Sequence, residues 1–103
     1  MLITTTATKG ETITGTVNVH IDDTGTYCFG FGYYGDKGWK YTYTAAESIG
    51  AGTDVQKTIN LTIRTDESLG WKVVWFAVLK WNETNSTWET IDEIYNACLR
   101  VVG

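Results

Sequence analysis

Along most of this chain, side chains change character every second residue, and no proline interrupts the pattern. A period of two belongs to extended backbone, whose successive side chains point to opposite faces; a helix repeats near 3.6. Residues 11–21 show it most cleanly. Ile13, Val17, Val19 and Ile21 share one side with Gly15, while Thr12, Thr14, Thr16, Asn18 and His20 share the other. Such a segment is a strand with one dry and one wet face. Eighteen threonines against three serines strengthen the β reading, because a β-branched side chain suits a pleated surface better than a helix.

The alternation divides the chain into seven runs: residues 2–8, 11–21, 26–34, 39–44, 53–64, 71–81 and 87–102. Turn chemistry separates them, as at Asp22-Asp23-Thr24-Gly25 and Gly35-Asp36-Lys37-Gly38. In the third run Tyr27, Phe29, Phe31 and Tyr33 form one face, and Cys28, Gly30, Gly32 and Tyr34 the other. Rings backed by glycines predict a strand buried on the ring side and closely approached, or bulged, on the other. The run 71–81 is apolar on both sides, which predicts a central strand or one whose second face meets a partner. In the last run Trp88, Ile91, Ile94, Tyr95 and Cys98 have a helix-like spacing. With strands everywhere upstream, we read it as a short strand, a polar bend near residues 92–96 and a final strand. Residues 45–52 read as a connection.

With 103 residues there is room for one core, so the chain is read as a single domain over residues 1–103. Seven short strands with Gly/Asp turns predict an all-β fold, an Ig-like antiparallel β-sandwich of about seven strands, with a small barrel as the other architecture.

The landmarks along the chain resemble the CARDB-type branch of Ig-like domains, the cell-adhesion-related modules of archaeal and bacterial surface proteins. Gly10-Glu11-Thr12-Ile13, followed by residues 17–26, is similar to that family's opening strand and loop. Ile49-Gly50-Ala51-Gly52-Thr53 resembles its step into a central strand. Residues 90–97 resemble its closing bend, although Asp22 or Asp23 and Ala97 stand where the family has asparagine. The resemblance implies a β-sandwich used as a surface, spacer or adhesion module, and brings no catalytic residues with it.

A net charge of −4, with Lys and Arg scattered singly, argues against nucleic acid and anionic membrane as partners. No apolar stretch is long enough to span a bilayer as a helix, so membrane insertion is not expected. Met1-Leu2-Ile3-Thr4-Thr5-Thr6 lacks the layout of a secretory signal. The location expected is nonetheless extracellular, at a cell or virion surface. Catalytic chemistry is not expected: the single histidine, His20, falls on a wet face with no serine or cysteine placed to complete a nucleophilic set. Neither cofactor nor metal is expected. The acid pairs Asp22-Asp23, Asp66-Glu67 and Asp92-Glu93 offer too few oxygens at alternating positions for a calcium loop and read as solvated turns.

Three features remain as candidate sites. Asn60, Asn82 and Asn85 each begin an Asn-x-Ser/Thr sequon that can accept a glycan on an exposed loop or wet face. Cys28 and Cys98 are either a disulfide or two free thiols; with the 71–81 strand between them their Cα atoms fall roughly 9.6 Å apart, beyond bridging distance unless the strand order differs. Trp39, Tyr41 and Tyr43, joined by Trp71, Trp75 and Trp81, are either core or an outward platform. One sandwich interior does not absorb all the apolar faces on offer. A second covered surface is therefore expected: a protein partner, self-association through an apolar sheet face, or glycans stacked on the rings.

Overall fold

The computed structural model describes residues 3–103, and among them every regular element is a strand: β1 (Ile3–Thr8), β2 (Thr12–Ile21), β3 (Gly25–Gly35), β4 (Gly38–Tyr43), β5 (Glu47–Ile49), β6 (Thr53–Thr62), β7 (Gly70–Asn82) and β8 (Thr87–Val102). The start of the first run, at residue 2, lies outside the described residues. The strands form two sheets. The larger runs β1-β8-β7-β3-β4, with β5 also paired to β3; the smaller is β2-β6 alone. The sheets stack as a thin slab, 44 × 26 × 18 Å. This is the expected β-sandwich, with the central strand order of an Ig-like fold.

Three expectations are corrected. The sandwich is not wholly antiparallel: β1 runs parallel to β8, pairing Ala7 with Val101. The chain crosses from one sheet to the other at Lys9-Gly10, where Lys9 N–H donates to the Val102 carbonyl (3.2 Å) and Gly10 N–H to that of Ile63 (3.0 Å), so β1 lies in the larger sheet and β2 in the smaller. The connection at residues 45–52 contains a short strand, β5, which continues the edge of the sheet beyond β4. Between the two, Thr44 bonds Phe29 twice, its N–H donating to the carbonyl (2.8 Å) and its Oγ1 accepting from the N–H (3.0 Å).

The third correction concerns β8, which is one strand with no bend between two halves. Its register against β7 slips twice, between Val74 and Phe76 and between Val78 and Leu79, each time with one extra residue on the β8 side. An inserted residue reverses the in–out parity of every later residue in the strand. The apolar residues from Trp88 to Cys98 therefore do not share one face: Trp88 stands opposite Trp81 and Cys98 opposite Val73 on one side of the sheet, and Ile94 stands opposite Phe76 on the other.

Between the sheets lie Ile13, Val17 and Ile21 of β2, Ile59 and Leu61 of β6, the ring face of β3 from Tyr27 to Tyr33, Val74, Phe76 and Val78 of β7, and Leu99 and Val101 of β8. Phe31 and Phe76 stack at 4.6 Å between ring centres. They fit beneath β2 because position 15 is glycine: a Cβ there would stand 2.8 Å from the Phe76 ring. This packing also fixes the orientation of the remaining aromatic residues. Strand pairing puts opposed residues on one face. With Phe29, Phe31 and Tyr33 turned inward, their neighbours on β3 and the partners of those neighbours on β4 and β7 must turn outward.

Candidate interaction face

The outward set is built by register. On β3, Gly30 stands opposite Tyr43, Gly32 opposite Tyr41 and Tyr34 opposite Trp39. On the other flank the same residues stand opposite Ala77, Trp75 and Val73. Trp39, Tyr41 and Tyr43 are 39%, 51% and 46% exposed, so the choice between core and platform resolves outward. Val74, Phe76 and Val78 take the inner side of β7, and this sends Trp71, Trp75 and Trp81 to the outer side with Val73, Ala77 and Leu79.

Trp75 is the hub of the face. Its ring centre lies 5.8 Å from Tyr41, 6.2 Å from Tyr43 and 6.4 Å from Trp39. Trp39 in turn meets Tyr34 (5.3 Å) and Tyr95 of β8 (6.1 Å). The hub lies flat against the sheet because β3 carries glycine beneath it: a Cβ on Gly30 would fall 2.8 Å from the Trp75 ring and 3.0 Å from that of Tyr43. This is the close approach expected from the glycines of β3. Trp71 lies toward one end of β7, 61% exposed. Trp81 is half-buried at the other end, where it packs edge-on against Trp88 (5.4 Å). The six expected residues therefore share one face, but only Trp39, Tyr41, Tyr43 and Trp75 form a single ring cluster. Between the cluster and the Trp81–Trp88 pair lies a hollow of about 380 Å³, lined by Cys28, Tyr43, Thr44, Ala46, Leu79 and Trp88.

Sequence reasoning missed Tyr34, Trp88 and Tyr95 as members of this face. Tyr34 was legible, since its parity matches Cys28. Trp88 and Tyr95 were not, because the two slips of β8 hide which side they take. The nearby Glu93 carboxylate holds the Tyr95 phenol above the ordinary tyrosine value, and the Trp75 indole opposes it. Burial pushes the Tyr43 phenol and the Cys28 thiol upward.

Cys28 and Cys98 are free thiols, which corrects the disulfide alternative. Cys28 pairs with Leu79 and Cys98 with Val73, on opposite flanks of β7. To the two-strand separation this adds about 20 Å along the strand at ~3.4 Å per residue. Of the sequon residues, Asn60 is exposed and accepts from Thr14 Oγ1 (2.9 Å), Asn85 is exposed, and Asn82 is half-buried with its amide on Glu89 (2.7 Å). His20 is solvent-exposed on β2, its Nδ1 2.7 Å from Asp54 and its Nε2 3.8 Å from Asp22. Those carboxylates, the Asp54 hydrogen bond first, raise its pKa above 6.5. Among the described residues no three His, Cys, Asp or Glu side chains gather as a metal ion would need, and no helix is long and apolar enough to cross a membrane.

Comparison with protein-family models, curated proteins and solved structures returns no match.

Proposed function

We propose that the chain is a non-catalytic interaction module, structural or adhesive, of a cell surface or virion, and that its working surface is the aromatic face of the larger sheet. One observation carries this reading. Across β4, β3 and β7 the outward set from Trp39 to Trp81 holds no charged side chain, and five of its seven rings, those of Tyr34, Trp39, Tyr41, Tyr43 and Trp71, stay exposed. A soluble monomer rarely leaves so large an apolar patch uncovered; such a patch is ordinarily where something binds. The opposite face has the reverse character. Thr12–Thr62 (2.8 Å), Thr14–Asn60 (2.9 Å) and His20–Asp54 (2.7 Å) pair across the smaller sheet in a polar ladder suited to water. The CARDB-type resemblance agrees with a surface or spacer role.

Carbohydrate binding is the second reading, supported by the same rings. A sugar stacks best on coplanar rings turned face-up. Around Trp75 the ring planes are tilted by 54–87°, and only the Tyr34–Trp39 pair, at 31°, comes near coplanarity. Interlocked, tilted rings make a knobbed surface that fits a protein face better than a flat glycan. The test is tryptophan emission during titration with a panel of oligosaccharides, alongside the double variant Trp39→Asp/Trp71→Asp. The expected result is an emission spectrum that no sugar changes, and a variant with native circular dichroism that has lost self- or partner association. Saturable quenching by one sugar class, abolished in the variant, would replace the protein reading with the carbohydrate one.

A further inference from the structure

The residues of this face are arranged evenly about one line. Gly32 stands opposite Tyr41 on one flank and Trp75 on the other, so these three positions lie in a row across the sheet. On β4, Trp39 and Tyr43 fall equally far to either side of the row. On β7, Trp71 and Leu79 do the same. Trp71, at 61%, is the most exposed of the described large apolar side chains. Leu79 lines the 380 Å³ hollow with Cys28, Tyr43 and Trp88. A knob and a hollow therefore sit equidistant from the row.

Resting on the reading of this face as a binding surface, we propose that its occupant is a second copy of the chain, packed face to face about a two-fold axis that runs along the Tyr41–Gly32–Trp75 row. An axis lying in the interface and crossing the strands reverses strand direction and preserves lateral position. It sets Trp71 of each copy over the hollow of the other, and Trp39 over the second copy's Tyr43. Two-fold pairing of like surfaces requires such self-complementarity. The area is sufficient. Seven aromatic side chains of the face, Tyr34, Trp39, Tyr41, Tyr43, Trp71, Trp88 and Tyr95, are 39–61% exposed. At about 200 Å² each they leave on the order of 700 Å² open, above the ~300–600 Å² of an ordinary monomer's largest patch and close to the ~800 Å² per partner of a standard interface. The charge pattern agrees as well. Interface centres lack charge and are rich in Trp and Tyr, and here the charged residues, Glu93 and Arg100, are confined to β8 at the margin of the apolar set, where they pair with Ala77 and Trp71.

The test is sedimentation equilibrium on the whole chain, using exposed positions whose substitution leaves the sandwich folded. Wild type is expected to be a dimer. Trp39→Lys and Tyr43→Glu are each expected to raise the dissociation constant roughly thirtyfold or more, the size of an interface hot spot. In an equimolar mixture of the two variants, each lysine meets a glutamate across the axis and the untouched Trp39–Tyr43 contact forms once, so dimers return. A dimer that neither substitution weakens, or a mixture that stays dissociated, overturns the arrangement. A wild-type chain monomeric at millimolar concentration overturns the proposal outright. In that case 1-anilinonaphthalene-8-sulfonate separates the two readings. If the dye binds the monomer and not the Trp39→Lys variant, the face is still a binding surface with another occupant. If it binds neither, the reading of the face fails too.

Discussion

Glu67 lies just beyond β6 and is 1% exposed, the one charged residue among the buried polar side chains described. Its surroundings explain how a carboxylate survives there. Tyr33 donates its hydroxyl to Oε2 (2.9 Å), the Asp36 N–H donates to Oε1, and Lys72 and Arg64 stand at 3.8 and 3.9 Å. The Tyr33 oxygen also accepts the Arg64 N–H at 3.0 Å, so one phenol ties β3 to the loop after β6. Burial, chiefly, raises the Tyr33 phenol and keeps it a donor. Removing the carboxylate orphans two donors and leaves the nearly buried Lys72 with Asp36 (3.2 Å) as its one remaining carboxylate partner. Glu67→Ala is therefore expected to cost about 2–4 kcal/mol in urea denaturation, and Tyr33→Phe about 1–2 kcal/mol. If Glu67→Ala unfolds at the wild-type midpoint, this cluster is ornamental. Neither residue belongs to the outer face, so the quaternary state of the folded variants should not change.

At the level of elements, the smaller sheet offers a pH-dependent contact. His20 on β2 pairs with Asp54 on β6 and is held above pKa 6.5 mainly by that hydrogen bond. A group whose folded pKa is raised adds its full stabilisation below the unfolded value and loses it as pH rises through the folded one. Both partners are solvent-exposed, so the effect is expected in the titration more than in the unfolding curve. Imidazole proton resonances should titrate above 6.5 in the wild type and fall back toward it in Asp54→Asn; an identical curve in both proteins would mean that the contact does not form in solution. The alternation that placed His20 on this wet face also predicted the core faces of β2 and β3, because each of those strands keeps one parity from end to end; on β7, apolar on both sides, it separated the two faces without saying which is core. It failed where parity is not kept. The slips of β8 depend on how its residues meet β7, a long-range fit with no local signature. The same holds for the parallel β1–β8 pairing, since nothing in a Thr-rich run states which edge it will join. The outward turn of Trp39, Tyr41 and Tyr43 was equally hidden: their alternation shows that they share a face, but only the pairing with Gly30, Gly32 and Tyr34 shows which one.

For the whole molecule the decisive property is polarity between its two broad surfaces. The β2–β6 surface is a ladder of hydroxyls, amides and one imidazole–carboxylate pair, while the β4-β3-β7 surface is uncharged and aromatic. Stacking two copies through their aromatic surfaces buries that side of each and leaves both polar ladders in water. The net charge of −4 per chain opposes the association weakly, because it resides elsewhere on the molecule. Salt should therefore act in the direction opposite to that of a charge-steered complex. Screening the mutual repulsion, with a Debye length falling from about 30 Å at 0.01 M to about 10 Å at 0.1 M, should tighten the dimer a few-fold. Sulfate should tighten it further than chloride at equal ionic strength, since excluded salts strengthen apolar burial. Lowering the pH toward the isoelectric point near 4.7 should act in the same direction by reducing the charge itself. Sedimentation equilibrium across a chloride series, a sulfate series and a pH series reads all three effects. A dissociation constant that rises with salt would mean that Glu93, Arg100 and other rim charges drive the contact, and that the aromatic surface is not what holds the copies together.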